Sequence, residues 1–194
     1  MGSLHCAAID VLFVCTGNIN RSPMGAALLQ MHLRARRADA VATSVGTHAT
    51  LGPSPREVIE LLAERGLDVH GHRSRQVTPE LLAEADLIIG MAREHVRETV
   101  LLGPGTFGRT FTLKELVRRA REVGGRRPDE PLENWLAGVG EGRTTSALLG
   151  ASDADDVADP IGKKLPAFRR CADEIDALTS ELSRLVVPAA VTAP

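Results

Sequence analysis

The sequence predicts an α/β fold built on parallel strands. Short apolar segments with β-branched residues alternate along the chain with longer segments of helix-forming residues, a pattern that is typical of βαβ units. The length of 194 residues suits one domain. With 43% hydrophobic and 25% charged residues, the composition is that of an ordinary globular protein and excludes a mostly disordered chain.

These patterns predict four strands and six helices. The strands are expected at residues 9–14, 41–45, 86–90 and 106–112. The helices are expected at residues 24–37, 55–65, from 78 onward, 92–102, 113–123 and over a final amphipathic stretch from 165 to 185. Cys171 lies on the apolar face of that last helix, and we therefore predict that it packs in the core.

The domain is predicted to span residues 9–187, between a flexible tail at residues 1–8 and a second tail at residues 188–194. Within the domain, residues 124–157 are rich in Gly, Arg, Pro, Ser and Asp and hold one apolar island around Trp135. Because this composition lacks a long apolar period, it predicts an irregular and partly mobile insertion or lid.

Charge and composition exclude several function classes. The net charge is −2, and the chain has four Phe, one Trp and no Tyr, so neither nucleic acid nor a membrane is an expected partner. No apolar run approaches the ~18 residues of a membrane span, and the N-terminus lacks a secretory signal pattern, which predicts a cytoplasmic protein. Three cysteines, at positions 6, 15 and 171, do not make a disulfide framework.

The segment from Cys15 to Ser22 carries the predicted chemistry. A strand ends here, a loop follows that holds Gly17 and Asn18, and a helix begins. Successive backbone N–H groups in such a loop, together with the helix N-terminus, favour an anion, and Arg21 adds a planar fork that pairs two phosphate oxygens. The candidate phosphate-binding residues are Thr16, Gly17, Asn18, Ile19, Asn20, Arg21 and Ser22.

Cys15 is predicted to lie at the centre of this loop. An environment that binds an anion also favours the thiolate, which is the nucleophilic form of cysteine. A thiolate that faces a bound phosphate is placed for in-line attack on phosphorus, and the Ser22 hydroxyl can donate to the sulfur.

A phosphate monoester also needs its leaving oxygen protonated, which a carboxylic acid can do. Asp159 is the candidate, because Pro160 restrains its backbone to an extended conformation. Asp153, Asp155 and Asp156 are predicted to form a solvated acidic loop, since the Gly and distal Glu of a calcium loop are absent. We therefore expect no metal and no cofactor.

Together these motifs resemble the low-molecular-weight protein tyrosine phosphatases, in their bacterial branch. The shared signature is Cys, five residues that include Gly-Asn, and then Arg-Ser, with an Asp-Pro pair over a hundred residues later. Further matching segments are residues 44–48, 72–78 and 86–89. The resemblance therefore covers about residues 10–102 and 157–187.

The resemblance implies a three-layer sandwich, in which a four-stranded parallel sheet has helices on both faces, and a metal-independent phosphomonoester hydrolase. It implies Cys15 as nucleophile in a cysteinyl-phosphate mechanism, Arg21 as phosphate clamp, and Asp159 as general acid and then base. The residues that it implies as hydrogen-bonded supports of the loop are Asn18, Ser22, Ser44 and His72. The implied partner is a phosphorylated protein, and a monomer or weak dimer is expected.

Three positions depart from the family pattern. Asn20 stands where many members carry a second cysteine that can form a protective disulfide with the nucleophile. Leu51 and Ile161 stand where members place aromatic side chains that sandwich a phosphotyrosine ring. These two residues could still form the apolar walls of a substrate slot, and Trp135 could replace one ring. A small phosphate ester is therefore an alternative substrate.

Two further interpretations stay open beside the phosphatase. Arsenate reductases share this fold and loop, and a form that uses an external small thiol needs only Cys15. The thioredoxin-coupled form needs relay cysteines, which are absent between Cys15 and Cys171. Because the reductase needs no general acid, Asp159 favours a phosphatase. A non-catalytic phosphate-binding module is disfavoured by the joint presence of Cys15, Arg21 and Asp159.

Overall fold

The computed structural model describes residues 8–188. The predicted tails at residues 1–8 and 188–194 lie outside this range, apart from Ala8 and Pro188. The strands are β1 (Ile9–Cys15), β2 (Ala40–Gly46), β3 (Leu87–Gly90) and β4 (Thr110–Thr112). They form one four-stranded parallel sheet in the order β2-β1-β3-β4, which confirms the predicted fold class.

The fourth strand is shorter than the sequence pattern predicts. Residues Pro104–Arg109 form a 3₁₀ helix, and only the last three residues of the predicted strand pair with β3. Pro104 is well placed at the start of this 3₁₀ helix, and Gly108 weakens an extended conformation within the predicted strand, which explains the late start of β4.

Helices connect the strands and follow the last of them. Those that the described residues form are α1 (Arg21–Ala35), α2 (Arg56–Ala63), α3 (Pro79–Glu84), α4 (Arg93–Leu102), α5 (Leu113–Val123), α6 (Leu132–Val139) and α7 (Leu165–Val186). α1 begins at Arg21, one residue before Ser22, where the sequence predicts that the helix opens ahead of the segment 24–37, and Pro23 lies in its first turn. Proline is accepted there, since an N–H group in the first turn has no acceptor within the helix.

Alternate residues of the strands face two apolar clusters. Phe13, Ile89 and Phe111 belong to the larger cluster, which includes buried residues of α1, α5, α6 and α7. Leu12, Val14 and Ile88 belong to the smaller cluster, which α3 helps to cover. Because both faces are covered, residues 11–15 of β1 and all of β3 are buried at every position, as is typical of a parallel sheet between helices.

Cys171 packs in the larger cluster, as its position on the apolar face of α7 predicts. It is 4% exposed, and burial raises the pKa of its thiol to about 12. The thiol is therefore protonated and unreactive at neutral pH.

Close packing between α1 and the sheet depends on Gly25. A Cβ atom at this position would lie 2.5 Å from Met91 Cε and 2.6 Å from Phe13 Cδ1, both in buried side chains. Because both side chains are fully buried in a close-packed interior, a larger residue would force Met91 and the Phe13 ring to shift or α1 to move away from β1.

Residues 124–157 are more ordered than the sequence predicts. They contain α6 and a short 3₁₀ helix at Thr145–Leu148. Trp135 is 2% exposed, and its Nε1 donates a hydrogen bond to the Gly124 carbonyl at 2.9 Å. The expectation that Trp135 replaces an aromatic wall of the substrate slot is therefore wrong, because its ring is part of the core. The apolar residues of α6 extend over two helical turns only, which is too short for the sequence pattern to indicate a helix in a segment rich in Gly, Arg and Asp.

No helix among residues 8–188 is long and apolar enough to cross a membrane.

Candidate active site

The predicted loop lies at the carboxyl end of the central strand. Cys15 is the last residue of β1, and α1 begins six residues later at Arg21. β1 pairs with β2 on one side and with β3 on the other. Ligands of open α/β sheets bind outside the carboxyl ends of the strands, where neighbouring connections leave in opposite directions. The topology therefore places Cys15 where a ligand site is expected.

The carbonyl groups of loop residues 15–18 all accept hydrogen bonds from neighbouring segments. Their donors, in chain order, are the N–H groups of Thr47 and His48, Ser74 Oγ and His72 Nε2, at 2.9, 2.9, 3.0 and 2.7 Å. In a planar trans peptide the next N–H group points away from the carbonyl. The backbone N–H groups of residues 16–20 have no acceptor among the described residues, so the loop offers consecutive donors to an anion.

Asn18 connects this loop to the structure around it. Its side chain is fully buried and its φ is +52°, a left-handed conformation that Asn tolerates. Nδ2 donates to Ser22 Oγ at 3.0 Å and to Ser44 Oγ at 2.9 Å, and Oδ1 accepts from the Arg75 N–H group at 2.8 Å. The structure thus brings together the predicted supports Asn18, Ser22, Ser44 and, through the Asn18 carbonyl, His72.

The sulfur of Cys15 has a hydroxyl partner. Sγ lies 2.9 Å from Ser22 Oγ, which also accepts from Asn18 Nδ2. The hydroxyl proton of Ser22 is therefore free to point to the sulfur or to the Val45 carbonyl, which is more distant at 3.2 Å. Donation to the sulfur stabilises its ionised form.

Arg21 and Asp159 meet although 138 residues separate them in the sequence. Arg21 Nη2 lies 2.6 Å from Asp159 Oδ2, and Nη1 donates to the Val157 carbonyl at 3.1 Å. Arg21 is 5% exposed, and its Nε is buried with no partner among the described residues. Because an unsatisfied buried N–H group is costly, this donor suits an anion bound at the loop.

The predicted substrate walls are exposed and flank the loop. Leu51 is 79% exposed and follows Thr50, whose N–H group donates to the Gly17 carbonyl at 3.3 Å. Ile161 is 59% exposed, and its N–H group donates to Asp159 Oδ1 at 3.0 Å. Both side chains are thus near the site, and neither is held in a rigid pocket.

A cavity of about 320 Å³ adjoins Arg21 and Asp159. Its other lining residues come from α4 and from residues 150–158, and among the described residues none is aromatic. A larger cavity of about 730 Å³ lies near Ile9 and Asp86, at the amino ends of the strands and away from the loop. The functional site is assigned by its chemistry and topology rather than by cavity size. Within residues 8–188 no cluster of His, Cys, Asp or Glu could hold a metal.

His95 is a site residue that the sequence pattern does not reveal. It lies in α4, its side chain is 1% exposed, and its Nε2 is 3.0 Å from Thr16 Oγ1. Burial, with smaller contributions from the charges of Arg21 and Arg97, lowers the pKa of His95 to about 3. The imidazole is therefore neutral at physiological pH. A single histidine in a helix carries no signal of such a contact.

The pKa of His95 predicts an acid sensitivity of the fold. Between its usual value and about 3, the unfolded chain binds a proton at this residue and the folded protein does not. Stability therefore falls as pH decreases from about 6.5, by up to about 1.4 kcal/mol per pH unit. Urea denaturation from pH 7 to 4 should show a steeper loss for the wild type than for His95→Gln. Parallel losses would contradict this prediction.

The acidic segment before Asp159 is structured, which corrects the prediction of a solvated loop. Asp155 is 5% exposed and accepts hydrogen bonds from Arg93 at 2.6 Å and Arg118 at 2.7 Å. Burial alone would raise the pKa of Asp155, but these arginines outweigh it and lower the pKa. Asp156 accepts from the Arg93 N–H group at the start of α4. Asp153 alone of the three acts as predicted and is exposed. The partners lie in distant helices, so the sequence pattern does not show them.

We expect Asp155→Asn to destabilise the protein by about 2–3 kcal/mol, because it leaves two arginines near a buried site without their carboxylate. This loss is smaller than the roughly 3–5 kcal/mol of a fully buried broken pair, since Arg118 is half exposed. Urea denaturation measures this loss, and Asp153→Asn is the matched control with an exposed neighbouring aspartate. Equal stability of the two variants would show that the Asp155 cluster does not hold the segment.

Comparison with known proteins gives a consistent family. The sequence profile described as low molecular weight phosphotyrosine protein phosphatase matches residues 10–132. The low molecular weight protein-tyrosine-phosphatase Etp of Escherichia coli K12 is 35% identical over 103 residues, which cover 53% of this chain and 67% of Etp. A protein-arginine-phosphatase of Bacillus subtilis is 26% identical over 181 residues, which cover 91% of this chain and 95% of that protein.

Solved structures show the same similarity. A low molecular weight protein tyrosine phosphatase from T. tengcongensis has a TM-score of 0.69 and 31% identity, covering 90% of this chain and 97% of its own. A mutant of the arginine phosphatase YwlE with a phosphorylated active-site serine has a TM-score of 0.69 and 26% identity, covering 91% of this chain and 94% of its own.

Proposed function

Because this chain belongs to the low molecular weight phosphotyrosine protein phosphatase family, and is thereby a phosphoric monoester hydrolase, we propose that it hydrolyses phosphotyrosine in proteins through a cysteinyl-phosphate on Cys15. We propose further that it needs no metal and acts in the cytoplasm as a monomer or weak dimer. Phosphorylated proteins are the substrates of its relatives.

The observation that carries this proposal is the set of unpaired donors around one sulfur. Residues 16–20 offer consecutive N–H groups, and Arg21 Nε is buried without an acceptor. The Cys15 sulfur lies at the strand end where this loop begins, 2.9 Å from a hydroxyl donor. Donors that are fixed before the substrate binds stabilise the charge of a phosphoryl transition state without reorganisation.

The first chemical step transfers the phosphoryl group to the enzyme. The Cys15 thiolate attacks phosphorus, the bond from phosphorus to the ester oxygen breaks, and protonated Asp159 gives its proton to that oxygen. The Arg21 fork, which pairs with Asp159 in the structure, turns its donors to the phosphoryl oxygens. Asp159 is thereby released toward the leaving group.

The second step returns the enzyme to its starting state. Asp159, now a carboxylate, takes a proton from a water molecule whose oxygen attacks phosphorus. The bond from sulfur to phosphorus breaks, and the Ser22 hydroxyl stabilises the departing thiolate. The similar YwlE mutant carries phosphate on its active-site serine, which supports a covalent intermediate in proteins of this fold.

Protein phosphoarginine is a second candidate substrate. The Bacillus subtilis protein-arginine-phosphatase aligns with 91% of this chain, and no aromatic side chain among the described residues lines the cavity beside Arg21. A flat ring therefore has no stacking partner there. A small phosphate ester, and reduction of arsenate by an external thiol, are the remaining alternatives.

The test is phosphate release, in the presence of a chelator, from peptides that carry phosphotyrosine, phosphoserine or phosphoarginine and from a sugar phosphate. We expect the phosphotyrosine peptide to have the highest kcat/KM. A preference for the sugar phosphate would replace the substrate and keep the chemistry, and a preference for phosphoarginine would keep the cysteinyl-phosphate while the bond that breaks becomes phosphorus–nitrogen and Asp159 protonates the leaving nitrogen. No release from any of the four substrates, with thiol-dependent arsenate reduction instead, would overturn the phosphatase proposal.

A further inference from the structure

His95 is buried in α4, and the mechanism above does not use it. Its side chain is 1% exposed, and Nε2 reaches Thr16 Oγ1 in the residue directly after the nucleophile. Removing an imidazole from water costs free energy unless its hydrogen bonds replace those to solvent. The hydrogen bond to Thr16 is therefore the contact that compensates for the burial of His95.

The position of the proton on His95 follows from its surroundings. Nδ1 is buried and has no hydrogen-bond partner among the described residues. A bare nitrogen there is less costly than an N–H group without an acceptor, so the proton lies on Nε2. The Glu94 carboxylate, 3.4 Å from Nε2, favours the same tautomer. His95 is thus the donor to Thr16, and the hydroxyl of Thr16 accepts.

This hydrogen bond holds Thr16 from a second side. The peptide after Cys15 is held at its carbonyl by the Thr47 N–H group at 2.9 Å, and on the other side of that peptide the Thr16 hydroxyl accepts from His95 at 3.0 Å. The N–H group of Thr16 is the first of the consecutive donors. Because it belongs to the planar peptide between Cys15 and Thr16, the orientation of that peptide sets where the N–H group points. Thr16 itself is exposed, so solvent would otherwise leave its side chain free to rotate.

We propose that His95 is a positioning residue for the phosphate site, which acts through Thr16 to hold the peptide after Cys15 with its N–H group directed at the bound oxyanion. This inference rests on the proposed function for its catalytic meaning. Its effect on anion binding can be measured without turnover, so the two can fail independently.

The test compares His95→Leu, Thr16→Val, the double variant and His95→Gln, whose amide keeps a donor near the position of Nε2. Thr99→Val is the matched control, because Thr99 is a buried residue of α4 whose hydroxyl has no partner among the described residues. The first readout is the concentration of inorganic phosphate that halves the rate of iodoacetamide alkylation, followed by mass spectrometry at Cys15 itself. The second readout is kcat and KM with p-nitrophenyl phosphate.

We expect His95→Leu and Thr16→Val each to weaken phosphate protection by about five- to tenfold, the effect of one lost hydrogen bond. The double variant should lose no more than either single variant, since both remove the same contact. His95→Gln and Thr99→Val should stay within about twofold of the wild type.

Three results would overturn the inference: unchanged phosphate protection in Thr16→Val, additive losses in the double variant, or a loss in His95→Gln as large as that in His95→Leu. Thr16→Val decides the matter even if His95→Leu does not fold, because Thr16 is exposed. If the wild type released no phosphate from any ester, the proposed function would fail while phosphate protection still tested His95.

Discussion

Cys15→Ser is expected to lower kcat by about 10⁴-fold or more with every phosphate ester. The hydroxyl of serine is not ionised at neutral pH, whereas a thiolate beside Ser22 and the free N–H groups of the loop is stabilised. Rapid-quench measurement of phosphate release gives the rate. The variant should still bind inorganic phosphate, because the donors of the loop are backbone groups and Arg21.

Two outcomes separate the role of Cys15 from a structural one. Lost turnover with phosphate binding retained assigns the chemistry to the sulfur. Turnover within about tenfold of the wild type would show that the sulfur is not required, and would leave attack by water or a route through a seryl-phosphate, the form that the similar YwlE mutant carries. Wild-type protein quenched in acid during turnover should carry one phosphate on the peptide that contains Cys15.

Asp159→Asn has the second largest expected effect, about 10²–10⁴-fold on kcat. An amide cannot give a proton to the leaving oxygen. The size of the loss should depend on the leaving group, because a phenol of low pKa departs without protonation. With aryl phosphates of decreasing phenol pKa, kcat/KM of the variant should rise toward that of the wild type, because kcat/KM reports the first step and not the attack of water in the second.

The control for this series is Asp153→Asn, which changes an exposed aspartate six residues away. Its rates should match the wild type for every leaving group. An equal loss in Asp159→Asn across the whole series would contradict the role of general acid. Such a loss would indicate that the pair with Arg21 matters for binding instead.

The parts of the fold that local patterns predict are those with strong local signals. The strand ending at Cys15, the Gly17-Asn18 turn and the helix that starts around Ser22 are encoded within a dozen residues. β4 begins four residues later than its apolar pattern predicts, because Gly108 interrupts the pattern and a 3₁₀ helix occupies residues Pro104–Arg109. The sequence pattern does not predict α6, because a helix of two turns repeats its apolar spacing too few times to be recognised among polar residues.

The residues of the site likewise fall into those that a local motif predicts and those that only the folded structure reveals. Cys15 and Arg21 belong to one contiguous motif, whereas Asp159 approaches Arg21 only in the folded chain, and Pro160 was the local sign of its restraint. Their catalytic roles stay predictions that the variants above test. His95 and Asp155 could not be found from the sequence, because their partners lie 79 and 62 residues away on other elements. A buried polar residue is recognised by what surrounds it, which a single sequence does not record.

The close packing at Gly25 also affects the electrostatics of the site around Cys15. The first turn of α1 carries Arg21 and follows the donors of the loop, and the contact of Gly25 with Phe13 sets how near this helix lies to β1. A methyl group at Gly25, one turn after Arg21, would increase the distance between α1 and the Cys15 sulfur. Charge–dipole attraction weakens steeply with distance, so the positive field at the sulfur would become weaker although no charge is altered. Gly25→Ala would thus change the electrostatics of the site through side-chain volume alone. The spacing between α1 and β1 is therefore one of the factors that set the reactivity of Cys15.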